Sequence, residues 1–215
     1  MKKLLLLPLL ALLAFTVSDI TPLEKKERKF AKELLKDTQK DFLKTTRNLS
    51  DAQLKFKSAP DRWSVEDCMK HIAASEAGLW QMIEANLKQP ANPERRSEIK
   101  VTDDQLIKMI QDRSQKFQAP EQLRPENIAY KSAEEAAASF KQNREKLIDF
   151  VMDTQDDLRG HVIDFPVGKM DAYQMILLVG AHSNRHTQQI KEVMADPKKL
   201  RFVRDLIAFL SYRKN

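Results

Sequence analysis

His182 and His186, one helical turn apart, are the residues of this 215-residue chain best suited to chemistry. Met175, Val179, Ile190 and Val193 recur with them at steps of three or four, so a helix through the segment puts all six on one inward face. Two imidazoles directed into a core need partners for their ring nitrogens, because an unmet buried polar group costs about 1–3 kcal/mol. A divalent ion meets that need for both, since histidines at i and i+4 converge on one ion and a facing helix completes the shell. Hydrogen bonds to neighbouring side chains or to buried water are the alternative.

A third ligand has to come from another element, and only His71 and His161 remain. His71 is the better candidate, in mid-helix one turn from Cys68 and Ser75. His161 follows Gly160 in an irregular stretch and reads as an exposed loop residue. The residue after His182 is Ser183 and not Glu, so no general base is built into the pair as it is in H-E-x-x-H metalloproteases. The weak catalytic candidates are Asp67 and Arg185. Asp67, one turn before His71, either orients it or caps the helix, and the cap is the simpler role. Arg185 either holds an anionic substrate group or forms a surface salt bridge, and the salt bridge is preferred. Glu76 points away from His71 and is expected to pair with Arg144 or Arg185. Cys68 reads as a small buried residue on a helix face.

The elements that position these residues are announced by capping spellings. Thr21-Pro22-Leu23-Glu24 opens a helix to about Asn48, with Phe30, Leu34, Thr38, Phe42, Thr45 and Leu49 inward. Ser64-Val65-Glu66-Asp67 opens a second, to about Lys88, with the stripe Val65, Cys68, Ile72, Leu79 and Ile83. Pro60 interrupts the chain before it, so Trp63 is placed across the bundle end. Thr102-Asp103-Asp104-Gln105 begins a short inserted helix through Leu106, Ile110 and Phe117. Ser132-Ala133-Glu134-Glu135 begins the third long helix, to about Asp153, with Ala136, Phe140, Leu147 and Val151 inward. After irregular chain containing Gly160, Pro166 and Gly168, Asp171-Ala172-Tyr173-Gln174 begins the fourth, ending near Asp196-Pro197. The expected fold class is therefore all-α: four long helices in a bundle over residues 22–197, with an inserted short helix and a C-terminal extra helix over 198–215.

Trp63-Ser64 followed by His71-Ile72, and then Ala181-His182-Ser183-Asn184-Arg185-His186-Thr187-Gln188-Gln189-Ile190, closely resembles the DinB/YfiT-like superfamily over about residues 25–197. The resemblance implies a bundle of up-down-down-up topology that binds zinc, nickel, iron or another divalent ion through His71, His182 and His186, often as a homodimer. It also implies membership of a group that includes thiol-dependent S-transferases, isomerases and metal-dependent hydrolases.

Composition narrows the function further. The four glycines, at 78, 160, 168 and 180, are too dispersed for a dinucleotide fingerprint or a P-loop. Met1-Lys2-Lys3, the apolar run Leu4–Val17 and the small residues Thr16-Val17-Ser18 have the layout of a cleavable export signal over residues 1–18. That run is shorter than the roughly 20 residues of a spanning helix, so no stable membrane span is expected after cleavage. Removing it takes the formal charge from +6 to +4, an excess dispersed along the helices, and nucleic acid is not an expected partner. Leu200, Val203, Leu206, Ile207 and Leu210 form a stripe expected to dock on the bundle or a second subunit, with an anionic membrane surface as the rival. The leading expectation is an exported, metal-binding protein with hydrolase or transferase activity on a small-molecule substrate. Export disfavours thiol transfer, whose co-substrate is a cytosolic metabolite. The competing expectation is a non-catalytic bundle with a structural ion or none.

Overall fold

The computed structural model describes residues 22–198, and the segments carrying the expected export signal and the stripe from Leu200 to Leu210 lie outside the described residues. The described chain forms helices α1 (Lys25–Thr46), α2 (Asp51–Lys55), α3 (Val65–Leu87), α4 (Asp103–Gln111), α5 (Ala133–Asp153) and α6 (Ala172–Ala195). Strands β1 (Val162–Phe165) and β2 (Gly168–Asp171) stand between α5 and α6.

Side-chain oxygens mark the helix starts where the capping spellings put them. Ser64, Thr102, Ser132 and Asp171 each accept a backbone N–H three residues on, at 3.0, 3.3, 3.2 and 2.8 Å. The short α2, which apolar periodicity is too brief to announce, uses the same device, Ser50 with Gln53.

α1 departs from the expected pattern. It begins at Lys25, after Glu24, and buries Ala31, Leu35, Thr38, Phe42 and Thr46 while Phe30 is 40% exposed. Successive steps of four precess by about 40° on a helix, so three of them swing Phe30 away from the face that holds Phe42. The true inward line mixes steps of three and four. The faces of α3 and α5 agree closely with expectation, and Leu79 alone among their named residues is only half-buried. Phe117 lies beyond the end of α4 and is 58% exposed.

The four long helices form a ring in which α1 and α3 each lie against both α5 and α6. Polar and aromatic contacts give their directions. Arg28, at the start of α1, donates to the Val151 and Thr154 carbonyls at the end of α5, so these two run antiparallel. Tyr173 donates to the Glu27 carbonyl and Lys191 pairs with Asp41, so α6 runs parallel to α1. Trp80 packs edge-on against Phe150, late in both helices, so α3 and α5 are parallel. The topology is up-down-down-up, and α4 lies along α6.

The strands qualify the all-α expectation without changing the class. Val162 pairs with Asp171 and Phe165 with Gly168, so β1 and β2 form an antiparallel hairpin around Pro166-Val167. Gly168 has φ +125°, a backbone state that side chains rarely adopt, which explains glycine there. The apolar residues of four-residue strands are too few to establish a period of two, so the sequence read as irregular.

Two apolar clusters fill the ring. One holds Leu35, Ile83, Leu147 and Met175; the other holds Phe42, Cys68, Ile72, Phe140 and Ile190. Thr38, Glu76, Arg144 and Ser183, one from each long helix, form a buried polar layer at the level where the clusters meet.

Candidate metal centre

α6 turns His182 and His186 toward the first half of α3, where His71 faces them. One ring nitrogen from each histidine lies within 4.8 Å of the others, and no Asp, Glu or Cys belongs to this group among the described residues. His71 and His186 are 3% and 9% exposed, and His182 is half-buried.

Hydrogen bonds set which nitrogens face inward. His71 Nδ1 donates to the Leu123 carbonyl at 2.8 Å, leaving the Nε2 lone pair free. That atom stands 3.4 Å from His182 Nε2 and 3.4 Å from the Ser75 hydroxyl. His186 Nδ1 lies 3.0 Å from Gln189 Oε1, an acceptor, and therefore donates to it, again freeing Nε2. Trp63 closes one side, its ring centroid 4.8 Å from that of His71 and 5.9 Å from that of His186, stacked on the latter at 23°.

Electrostatics keep the rings neutral. Removal from water lowers the pKa of His71. The same cause, reinforced by His71 and then by Arg185, pushes His182 down to about 3. Burial, then the two neighbouring imidazoles, holds His186 well below its ordinary value. Neutral imidazole is the form that binds metal, so the protein presents three lone pairs at ordinary pH.

A metal fits these residues. Two nitrogens about 2.0–2.1 Å from a tetrahedral ion stand about 3.3–3.4 Å apart. The separation of the His71 and His182 Nε2 atoms, 3.4 Å, matches that edge. The carbonyl behind His71 and the amide behind His186 are the kind of partner that orients histidine ligands.

The other candidates occupy different places. Asp67 completes the α3 cap, accepting the Ser64 N–H at 2.9 Å, and pairs with Lys57 at 2.8 Å. Burial works to raise its pKa, but the Lys57 ammonium and the Ser64 bonds outweigh it and hold the carboxyl below its ordinary value. Arg185 is neither a surface salt bridge nor an open anion holder. It is 5% exposed and donates to the carbonyls of Ile110, Asp112 and Gln115, fastening the chain that leaves α4 onto α6. Glu76 pairs with Arg144, while Arg185, on another face of α6, points toward α4. Cys68 is fully buried, and burial raises its thiol pKa.

His161 corrects another expectation. It is 8% exposed, with Nδ1 2.8 Å from the Asp157 carbonyl and Nε2 3.1 Å from the Gln89 carbonyl, tying the hairpin to the end of α3. The partner amide of His186 was legible, since Gln189 lies three residues on along one helix. The Leu123 carbonyl was not, because a backbone acceptor carries no signature of residue type.

The DinB superfamily model matches residues 34–190 of the chain. The chain is 24% identical over 148 residues to the uncharacterized protein YuaE of Bacillus subtilis (strain 168), spanning 68% of this chain and 86% of that protein. It also resembles the solved structure of YfiT from Bacillus subtilis, described as a probable metal-dependent hydrolase with an unusual four-helix bundle topology. That likeness has a TM-score of 0.54 and 13% identity, over 80% of this chain and 87% of the other.

Proposed function

Because the chain belongs to the DinB superfamily, we propose that it holds one divalent metal ion through His71, His182 and His186 and uses it to hydrolyse a small-molecule substrate. The observation that carries this reading is the convergence of three neutral imidazole nitrogens within 4.8 Å, with no carboxylate or thiol among the described residues to close the shell. A divalent ion with three protein ligands supplies Lewis acidity at an open position. Imidazole donors suit zinc, nickel and iron alike.

The chain's own residues do the rest. Leu123 and Gln189 hold the His71 and His186 rings in the ligating tautomer. Trp63 walls off one side of the cluster, and the buried Ser75 hydroxyl stands beside His71 Nε2. Hydrolysis is supported over thiol transfer by the description of YfiT and by the N-terminal sequence, which has the form of an export signal. Export and assembly as a homodimer belong to the same proposal.

Elemental analysis of the purified protein should find about one divalent ion per chain, lost in His182→Ala and in His186→Ala. Undiminished metal in both variants would overturn the assignment. A screen of ester, amide and thiol-conjugation reactions, with and without chelator, should find hydrolysis that disappears with the metal. A metal-loaded protein inert to every substrate, with a fourth protein ligand closing its shell, would make the ion structural.

A further inference from the structure

Arg144 is fully buried and uses every donor it has. Its Nε and Nη2 atoms grip the two Glu76 oxygens at 2.6 and 2.7 Å, and Nη2 also donates to the Ser183 hydroxyl at 2.9 Å. Nη1 donates to the Leu35 carbonyl at 2.8 Å and to Thr38 Oγ1 at 2.7 Å. One guanidinium on α5 thus fastens α1, α3 and α6 together. Two of its acceptors are chain neighbours of residues in the histidine cluster. Ser183 follows His182, and Glu76 follows Ser75, whose hydroxyl lies 3.4 Å from His71 Nε2. Ser183 is itself fixed, because its hydroxyl donates to the Gly180 carbonyl at 2.9 Å while accepting from Arg144.

We propose that Arg144 is the positioning residue of the histidine centre: by joining Glu76 of α3 to Ser183 of α6, it sets the separation of the two helices that carry the ligands. The inference rests on the metal-binding reading above. Apolar packing brings the helices together, and a bidentate guanidinium–carboxylate pair adds a single directional geometry to it. The fit between the 3.4 Å separation of the His71 and His182 nitrogens and a ligand edge depends on that spacing.

The test compares wild type with the double variant Glu76→Leu/Arg144→Met and with Ser183→Ala. The readouts are zinc affinity by competition, the visible absorption spectrum after cobalt(II) loading, and metal-free melting. An apolar pair of similar volume keeps the metal-free fold close to wild-type stability, as replacement of buried ion pairs often does. Zinc affinity should nevertheless fall about 10–100-fold, the usual cost of losing support behind metal ligands, with an altered cobalt spectrum. Ser183→Ala, which keeps the ion pair, should shift both metal readouts in the same direction, and Ser183→Thr should restore them. Should the double variant fail to fold, the Ser183 pair of variants decides alone. Wild-type zinc affinity and cobalt spectrum in every folded variant would overturn the positioning role while leaving the metal site intact. A wild type that takes up neither cobalt nor zinc would overturn the metal reading and this inference with it.

Discussion

Removing either partner of the Glu76–Arg144 pair leaves the other buried without its counter-charge, the two side chains being 2% and 0% exposed. Arg144→Met alone should therefore destabilise the protein by about 3–5 kcal/mol, read from urea unfolding, whereas adding Glu76→Leu to it should recover most of the loss. The histidines make a different residue-scale prediction. Their pKa values are depressed in the folded state, His182 to about 3, while an unfolded histidine titrates at about 6.5. As pH falls below about 6.5 the unfolded chain takes up protons that the native state refuses, so metal-free stability declines from there toward about pH 3. Urea midpoints measured across this range should fall less steeply in His182→Gln, which has no proton to take up. An identical slope in the variant would mean that His182 is not held neutral.

Helix contacts at the element scale turn on single atoms. Gly180 lets α6 approach α1 closely: a Cβ there would stand 3.0 Å from Leu34 Cγ and 3.2 Å from its Cδ2. A larger side chain has to displace Leu34, and overpacking of this kind costs about 1–3 kcal/mol. Gly180→Leu should lower the melting temperature accordingly, and unchanged melting would show that the α1–α6 contact yields easily. Helix starts are a second element-scale matter. Ser132 accepts the Glu135 N–H at 3.2 Å and is the side-chain cap of α5. Ser132→Ala should cost about 1 kcal/mol in thermal or urea unfolding, with the metal content unchanged.

For the whole molecule, the proposed ion, bound only by the folded state, would couple the centre to global stability. Metal at 1,000 times its dissociation constant adds about 4 kcal/mol, so chelation should lower the melting temperature of wild type and leave His186→Ala unaffected. No described helix is long and apolar enough to cross a membrane. The first residues have the charge and hydropathy of an export signal, so the intact mass of protein from its native host should lack a segment ending near Ser18.

Sequence alone determined the four long helices, because capping residues and apolar periodicity are local properties that survive without any partner. It also singled out His182 and His186 by their helical spacing and His71 by its mid-helix place, with the family resemblance implying that the three act together. What it left open was decided between segments distant in the chain. Glu76 took Arg144 because α5 faces α3 at that level, whereas Arg185 lies on the face of α6 turned to α4, and His161 was buried because the end of α3 meets the hairpin. The backing of His71 by Leu123, 52 residues away, needed the α4–α5 connection to lie over α3. Periodicity states which face of a helix is inward. The neighbour across that face, and the distance between them, come from ridge-and-groove packing and buried polar pairing, which exist only once the chain has closed on itself.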